Sequence, residues 1–110
     1  MTIREINRFH VAQLAYLLER LKAVAEREAT LLDHCMIVYG SGISDGNAHT
    51  HDDLPILLAG KANGTIQTGR HIRFPGETPL TNLYLAMLDR MRVNLDRFGD
   101  STGRLTGLGG

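Results

Sequence analysis

The chain has 110 residues, twelve basic and twelve acidic, with 43% apolar and 22% charged residues and no Trp. That length accommodates one small domain with a single modest core, and the composition is that of an ordinary globular sequence rather than a disordered, fibrous or membrane one. A formal net charge of zero supplies no long-range field for a polyanion, which argues against nucleic acid as a partner. No run approaches the roughly twenty apolar residues of a membrane span.

From Ile3 to about residue 28 neither Gly nor Pro occurs. Val11, Leu14, Leu18, Leu21 and Ala25 recur at three- and four-residue steps, which predicts a long amphipathic helix over about 3–28. Ile6, Phe9, Tyr16, Leu17 and Val24 widen its apolar surface, while Arg20, Lys22, Glu26, Arg27 and Glu28 form a solvated flank. His10, alone on this helix, reads as a packing residue.

A strand is expected near 35–40, where Cys35-Met36-Ile37-Val38-Tyr39 is apolar on both faces, as in a covered sheet. Cys35 is the only cysteine, so no intramolecular disulfide forms and a buried thiol is expected. A second strand is expected near 54–59. Between the two runs a polar loop, rich in Gly and short side chains, leaves the end of the first strand, where open α/β sheets build their sites.

A third strand, part of a short ribbon, is expected near 65–74 from the spaced Ile66, Ile72 and Phe74, with Arg70 and His71 on a solvated edge. Thr78 as N-cap and Pro79 at the first helical position open a second helix over about 79–92. Leu80, Leu83, Tyr84, Met87, Leu88 and Met91 continue it at helical spacing. Residues 94–110 carry five glycines and are expected to form an irregular tail that wraps or frays, with Asp100-Ser101-Thr102 in an Asx or Ser/Thr turn.

The expected fold class is therefore α/β: a fragment of an α/β/α sandwich with a mixed sheet, residues 1–110 forming a single partial domain, the carboxy-terminal part of a larger one. Two or three strands and two apolar-faced helices leave a strand edge and a helix face without partners. The remainder of a larger domain or a homodimer partner is expected to cover them.

The loop gathers donors. Asp45, His49, His51 and Asp52 place oxygen and imidazole ligands within a few residues, beside Asp53, and the His-x-His spacing aims two rings at one ion if the backbone is extended. They are the candidate metal ligands, for a divalent ion such as zinc or manganese in a full-length protein. The competing reading gives Asp45 and Asp52 to Asx turns, leaves His49 in solvent and has His51 bond backbone to pin the loop. Ser41 lies in Gly40-Ser41-Gly42, short of the Gly-x-Ser-x-Gly elbow. Gly40, Gly42 and Gly46 do not make a phosphate loop. No catalytic residue is assigned.

Five segments together resemble the carboxy-terminal region of the HXXSHH-motif family, a bacterial family of unknown function. They are Ile6-Asn7-Arg8-Phe9-His10-Val11, Met36-Ile37-Val38-Tyr39-Gly40-Ser41-Gly42-Ile43-Ser44-Asp45, His51-Asp52-Asp53-Leu54-Pro55-Ile56-Leu57-Leu58-Ala59-Gly60, Thr78-Pro79-Leu80-Thr81-Asn82-Leu83-Tyr84 and Phe98-Gly99-Asp100-Ser101-Thr102-Gly103. The resemblance implies a longer, exported bacterial protein whose histidine-rich motif lies upstream of Met1, so that Met1 is a start inside a longer chain. The amino terminus itself lacks the layout of a signal peptide. A more distant similarity, to the alkaline phosphatase and sulfatase superfamily, implies a metal-dependent ester hydrolase in which His51 matches a late metal-binding histidine. Ser41-Gly42 stand where that superfamily places an Asp-His ligand pair, which fits a noncatalytic scaffold instead.

Overall fold

The structure, a computed structural model, describes residues 1–42 and 53–109. Helix α1 runs over Ile3–Ala23. Its start is set by a capping box: the Glu5 amide donates to Thr2 Oγ1 at 3.2 Å, and the Thr2 amide donates to the Glu5 carboxylate at 2.7 Å, satisfying two otherwise orphan donors. Leu14, Leu18 and Leu21 are half-buried and form its inner stripe, yet no residue of α1 is fully buried.

The helix stops five residues short of the expected end. Val24 is extended, and Ala25–Glu26 (β1) pairs antiparallel with Ala29–Thr30 (β2) around Arg27, which has φ +56°. Ala25 to Glu28 are good helix formers, but propensity is a weak force. The reversal is held instead by the Leu31 amide donating to the Val24 carbonyl at 2.9 Å, and by Asp33 accepting from the Thr30 amide at 2.9 Å. It returns half-buried Leu31 and Leu32 toward the body of the protein through the 3-10 turn Leu31–His34.

Strands β3 (Ile37–Gly40) and β4 (Ile56–Ala59) pair antiparallel, with Ile37 opposite Ala59 and Gly40 opposite Ile56. Side chains alternate across a strand. Val38, Ile56 and Leu58, with Met36, pack on the core of Ala62, Ile66, Leu83, Ala86 and Leu108. Ile37, Tyr39 and Leu57 take the other face, and Ile37 and Tyr39 look toward α1 across a cleft. Helix residues of the core lie on one face of the sheet and a cleft separates β3 from α1, a mixed arrangement that agrees with the expected α/β class.

The sheet is narrower than expected, a two-stranded antiparallel pair rather than a mixed sheet, and no strand forms near 65–74. Ile66 is buried against α2 and the tail, Gly69 has φ +76°, and the Gln67 amide donates to the Leu108 carbonyl at 2.8 Å. Arg70 Nη2 donates to the carbonyls of Gly107 and Leu108 at 2.8 and 3.0 Å. The backbone and side-chain donors expected on a solvated ribbon edge are spent on the tail, so no ladder extends there.

Helix α2 spans Leu80–Arg90 and buries Asn82, Leu83, Leu85 and Ala86. Pro79, not Thr78, occupies the N-cap position, because the Thr78 hydroxyl donates to the Pro75 carbonyl at 2.6 Å instead of accepting from the helix. At the other end the Val93 amide donates to Leu88 at 2.9 Å and the Arg92 amide to Asp89 at 3.0 Å, the double closure of a Schellman motif. Arg92 sits at its left-handed position with φ +62°. That conformation costs a non-glycine residue about 1 kcal/mol, so Arg92→Gly is expected to raise stability by about 0.5–1 kcal/mol. A denaturant melt reads the gain as a higher midpoint with unchanged slope.

The tail after α2 wraps rather than frays. The Leu105 amide donates to the Asn82 carbonyl at 3.0 Å, and Leu108 is 7% exposed within the core. Asp100 accepts from Thr81 Oγ1 at 2.8 Å, and the Ser101 amide donates to the Phe98 carbonyl at 3.0 Å, so this segment is a turn docked on α2.

Candidate functional site

The loop with the sequence-expected ligands is carried between β3 and β4. Because Gly40 pairs with Ile56, the chain leaves the sheet and re-enters it at the same end. The pairing is tight: a Cβ on Gly40 would come within 2.5 Å of Ile56 Cδ1 and 3.1 Å of the Pro55 carbonyl. Asp53, at the returning limb, is exposed with φ +53°, a left-handed conformation that Asp tolerates better than most residues. Asp45, His49, His51 and Asp52 lie outside the described residues. Among the described residues no group of three or more His, Cys, Asp or Glu side chains is arranged to hold a metal ion.

The other histidines are apart from one another. His34 Nδ1 bonds Asn63 Oδ1, which fastens the turn after β2 to the 3-10 turn Ala62–Gly64. His10 stacks edge-on against Phe9, ring centroids 5.7 Å apart, and also lines the cleft of about 430 Å³ between α1 and β3, with Gln13, Leu14, Leu17, Ile37, Val38 and Tyr39. His71 is exposed. Cys35 is half-buried, its Sγ donating to the Leu31 carbonyl at 3.2 Å, a structural thiol rather than a reactive one.

A second concavity of about 400 Å³ lies beside the small hairpin and is lined by Glu26, Arg27, Glu28, Ala29 and His34. Near it, Asp33 is held below the ordinary carboxylate pKa, first by the Thr30 amide and further by the Thr30 hydroxyl and Lys61, whose Nζ lies 3.6 Å away. A depressed folded-state pKa gives stability that is present above the unfolded value, 3.8, and lost as pH falls through the folded value. Asp33→Asn is therefore expected to destabilise the protein at neutral pH and to make no difference at the acid end. Thermal melts of both proteins from pH 7 down through and below 3.8 check this: a displacement that does not shrink as the pH falls would remove Asp33 from the acid response.

Asn82 and Arg70 are the polar residues that sequence reasoning missed. Asn82, 7% exposed, donates from Nδ2 to Thr102 Oγ1 at 3.0 Å and accepts from the Thr102 amide at 2.9 Å. Both residues fasten the tail across sequence separations of 20 or more. No local pattern announces such a contact, since Asn82 lies outside the apolar stripe expected for α2 and is buried beside Leu85 and Ala86 instead.

No protein-family model, curated protein or solved structure gives a significant match to the chain.

Proposed function

We propose that the chain is the carboxy-terminal part of a larger α/β/α protein of the HXXSHH type, and that the loop joining β3 to β4 forms one wall of a metal-dependent phosphate or sulfate ester hydrolase site. The supporting observation is the Gly40–Ile56 pairing, which returns both ends of the loop to one end of the sheet. In this reading Asp45, His49, His51 and Asp52 supply oxygen and imidazole donors to a divalent ion, zinc or manganese. The ion polarises an ester oxygen or activates a nucleophile. Zinc sites take three or four protein ligands backed by further hydrogen bonds, so the chain alone, without the upstream histidines that the resemblance implies, is inactive.

The test is metal content and titration with zinc and manganese, carried out on the longer protein, on its His51→Ala variant and on the chain itself. Stoichiometric metal in the longer protein, lost or weakened at least tenfold by His51→Ala, is the expected result. Absence of metal from all three sinks the hydrolase reading. The second reading is a noncatalytic scaffold on the same architecture, favoured by Ser41-Gly42 at the place of an Asp-His ligand pair.

A further inference from the structure

The surface of α1 is where the fold leaves most apolar area uncommitted. At 100° per residue, Leu14, Leu18 and Leu21 share one face, the half-buried one. Ile6, Phe9, Tyr16, Leu17 and Val24 form a second stripe about a third of a turn away. Phe9 and Tyr16 are 58% and 61% exposed. Beside it runs the outer edge of β3. Among the described residues, Ile37, Val38 and Tyr39 make no backbone hydrogen bond except those to β4. The cleft lined by α1 and these three residues reaches that backbone, since it touches Val38, whose side chain packs on the opposite face.

We propose that a second copy of this chain covers both features at once, in a twofold-symmetric dimer. In it β3 pairs antiparallel with its copy and α1 crosses its copy near Gln13. One axis serves both contacts. The α1 residues that flank β3 across the cleft are His10, Gln13, Leu14 and Leu17, so a twofold placed beside β3 passes α1 close to Gln13.

The sequence of α1 is self-complementary about that same point. In an antiparallel crossing centred on Gln13, Phe9 meets Leu17 of the second copy and His10 meets Tyr16. Glu5 comes beside Arg20 of the second copy, and symmetry makes that pair twice. The like charges that the crossing would oppose, Arg4 and Lys22, lie on the far side of the helix by the same 100° spacing. Opposed charges of this kind fix register and orientation more than they add affinity.

Apolar surface is there to be covered, since Phe9, Tyr16 and Leu17 on this one face of α1 are 58%, 61% and 45% exposed. An apolar strand edge is also a surface that folded proteins cover or blunt. Edge pairing in a closed twofold uses it up, and a four-stranded sheet results.

This inference does not depend on the metal reading, and its readout is mass rather than metal. Sedimentation equilibrium of the 110-residue chain is expected to give a dimer. Arg20→Glu, which sets Glu5 against a second carboxylate in both symmetric pairs, is expected to weaken it by roughly tenfold or more. Adding Glu5→Arg to Arg20→Glu restores the pair with its polarity reversed and should recover most of the loss. Helix content by circular dichroism shows whether the lost Glu5 cap has damaged α1 itself. Gln13→Cys in a Cys35→Ser background is expected to form an intermolecular disulfide on mild oxidation. A monomer at the highest concentration run would overturn the proposal and leave the β3 edge to the remainder of the longer protein. So would a dimer indifferent to Arg20→Glu that forms no Gln13→Cys disulfide.

Discussion

Gly60→Ala is expected to destabilise the protein by more than about 3 kcal/mol, a large share of the stability of a chain this size. Gly60 follows β4 with φ +94°, a conformation L side chains rarely adopt, and a Cβ there would lie 2.1 Å from the Cys35 carbonyl oxygen and 2.7 Å from its carbon. That carbonyl cannot step aside cheaply. It accepts from the Ala62 amide at 3.0 Å, while the Cys35 amide donates to Leu32, also at 3.0 Å. The close approach of the two backbones is what lets β4 turn into the 3-10 turn Ala62–Gly64 beneath β3. Gly64→Ala is the control, since Gly64 has φ +87° but open space around it, and strain alone costs about 1–2 kcal/mol. Thermal melts of the two variants separate the contact from the strain. Equal, small losses would mean that the Cys35 backbone does not press on Gly60.

That glycine illustrates how far the fold was legible. Hydrophobic periodicity and apolar runs located α1, α2 and both strands of the main hairpin, but the stripe expected on α2, Leu80, Leu83, Tyr84, Met87, Leu88 and Met91, is not the face it buries most deeply, which is Asn82, Leu83, Leu85 and Ala86. Periodicity placed the inner stripe of α1 on Leu14, Leu18 and Leu21, the three residues of that helix that are half-buried. Ends were less legible. The helix that was to continue to about residue 28 stops at Ala23 because of bonds from Leu31 and Asp33, residues outside it. The strand expected near 65–74 fails for a similar reason. Ile66 is core as its apolarity implies, but the Gln67 amide and the Arg70 guanidinium are claimed by Gly107 and Leu108, some forty positions away.

The candidate site shows the same division. Its donors, Asp45, His49, His51 and Asp52, were read from composition and spacing, which are local properties. What the structure adds is the support: a hairpin whose strands finish together at Gly40 and Ile56, over a core made by α2 and the tail. Met87 and Met91 make the point on a smaller scale. They are spaced as a pair, yet Met87 packs on the core and Met91 is 66% exposed, because the helix ends between them and the Schellman turn swings the chain away.

Asn82→Leu is expected to cost at least about 2 kcal/mol and to release the tail. The substitution keeps the number and branching of side-chain heavy atoms while replacing both polar atoms by bulkier methyl groups, so it removes the hydrogen bonds and adds volume at a buried position. The Thr102 amide loses its acceptor, and the Thr102 hydroxyl loses its donor. Both bonds are partly buried although Thr102 itself is exposed, so solvent reaches the groups left behind and the loss lies near the lower end of about 1–3 kcal/mol for each. The effect should spread along the tail, since the Asn82 carbonyl also accepts from the Leu105 amide, and Leu105 and Leu108 pack on the core from the same segment. Hydrogen exchange is the direct readout: the Thr102 and Leu105 amides, and the Gln67 amide that donates to Leu108, should lose protection together. Thr102→Val, which keeps the amide and removes the hydroxyl, is expected to cost about 1 kcal/mol. In a double-mutant cycle with Asn82→Leu it should be non-additive by about 0.5–1 kcal/mol. Additive losses, with Leu105 and Gln67 still protected in Asn82→Leu, would mean that the tail is held by the burial of Leu105 and Leu108 alone and that Asn82 is a bystander on the helix.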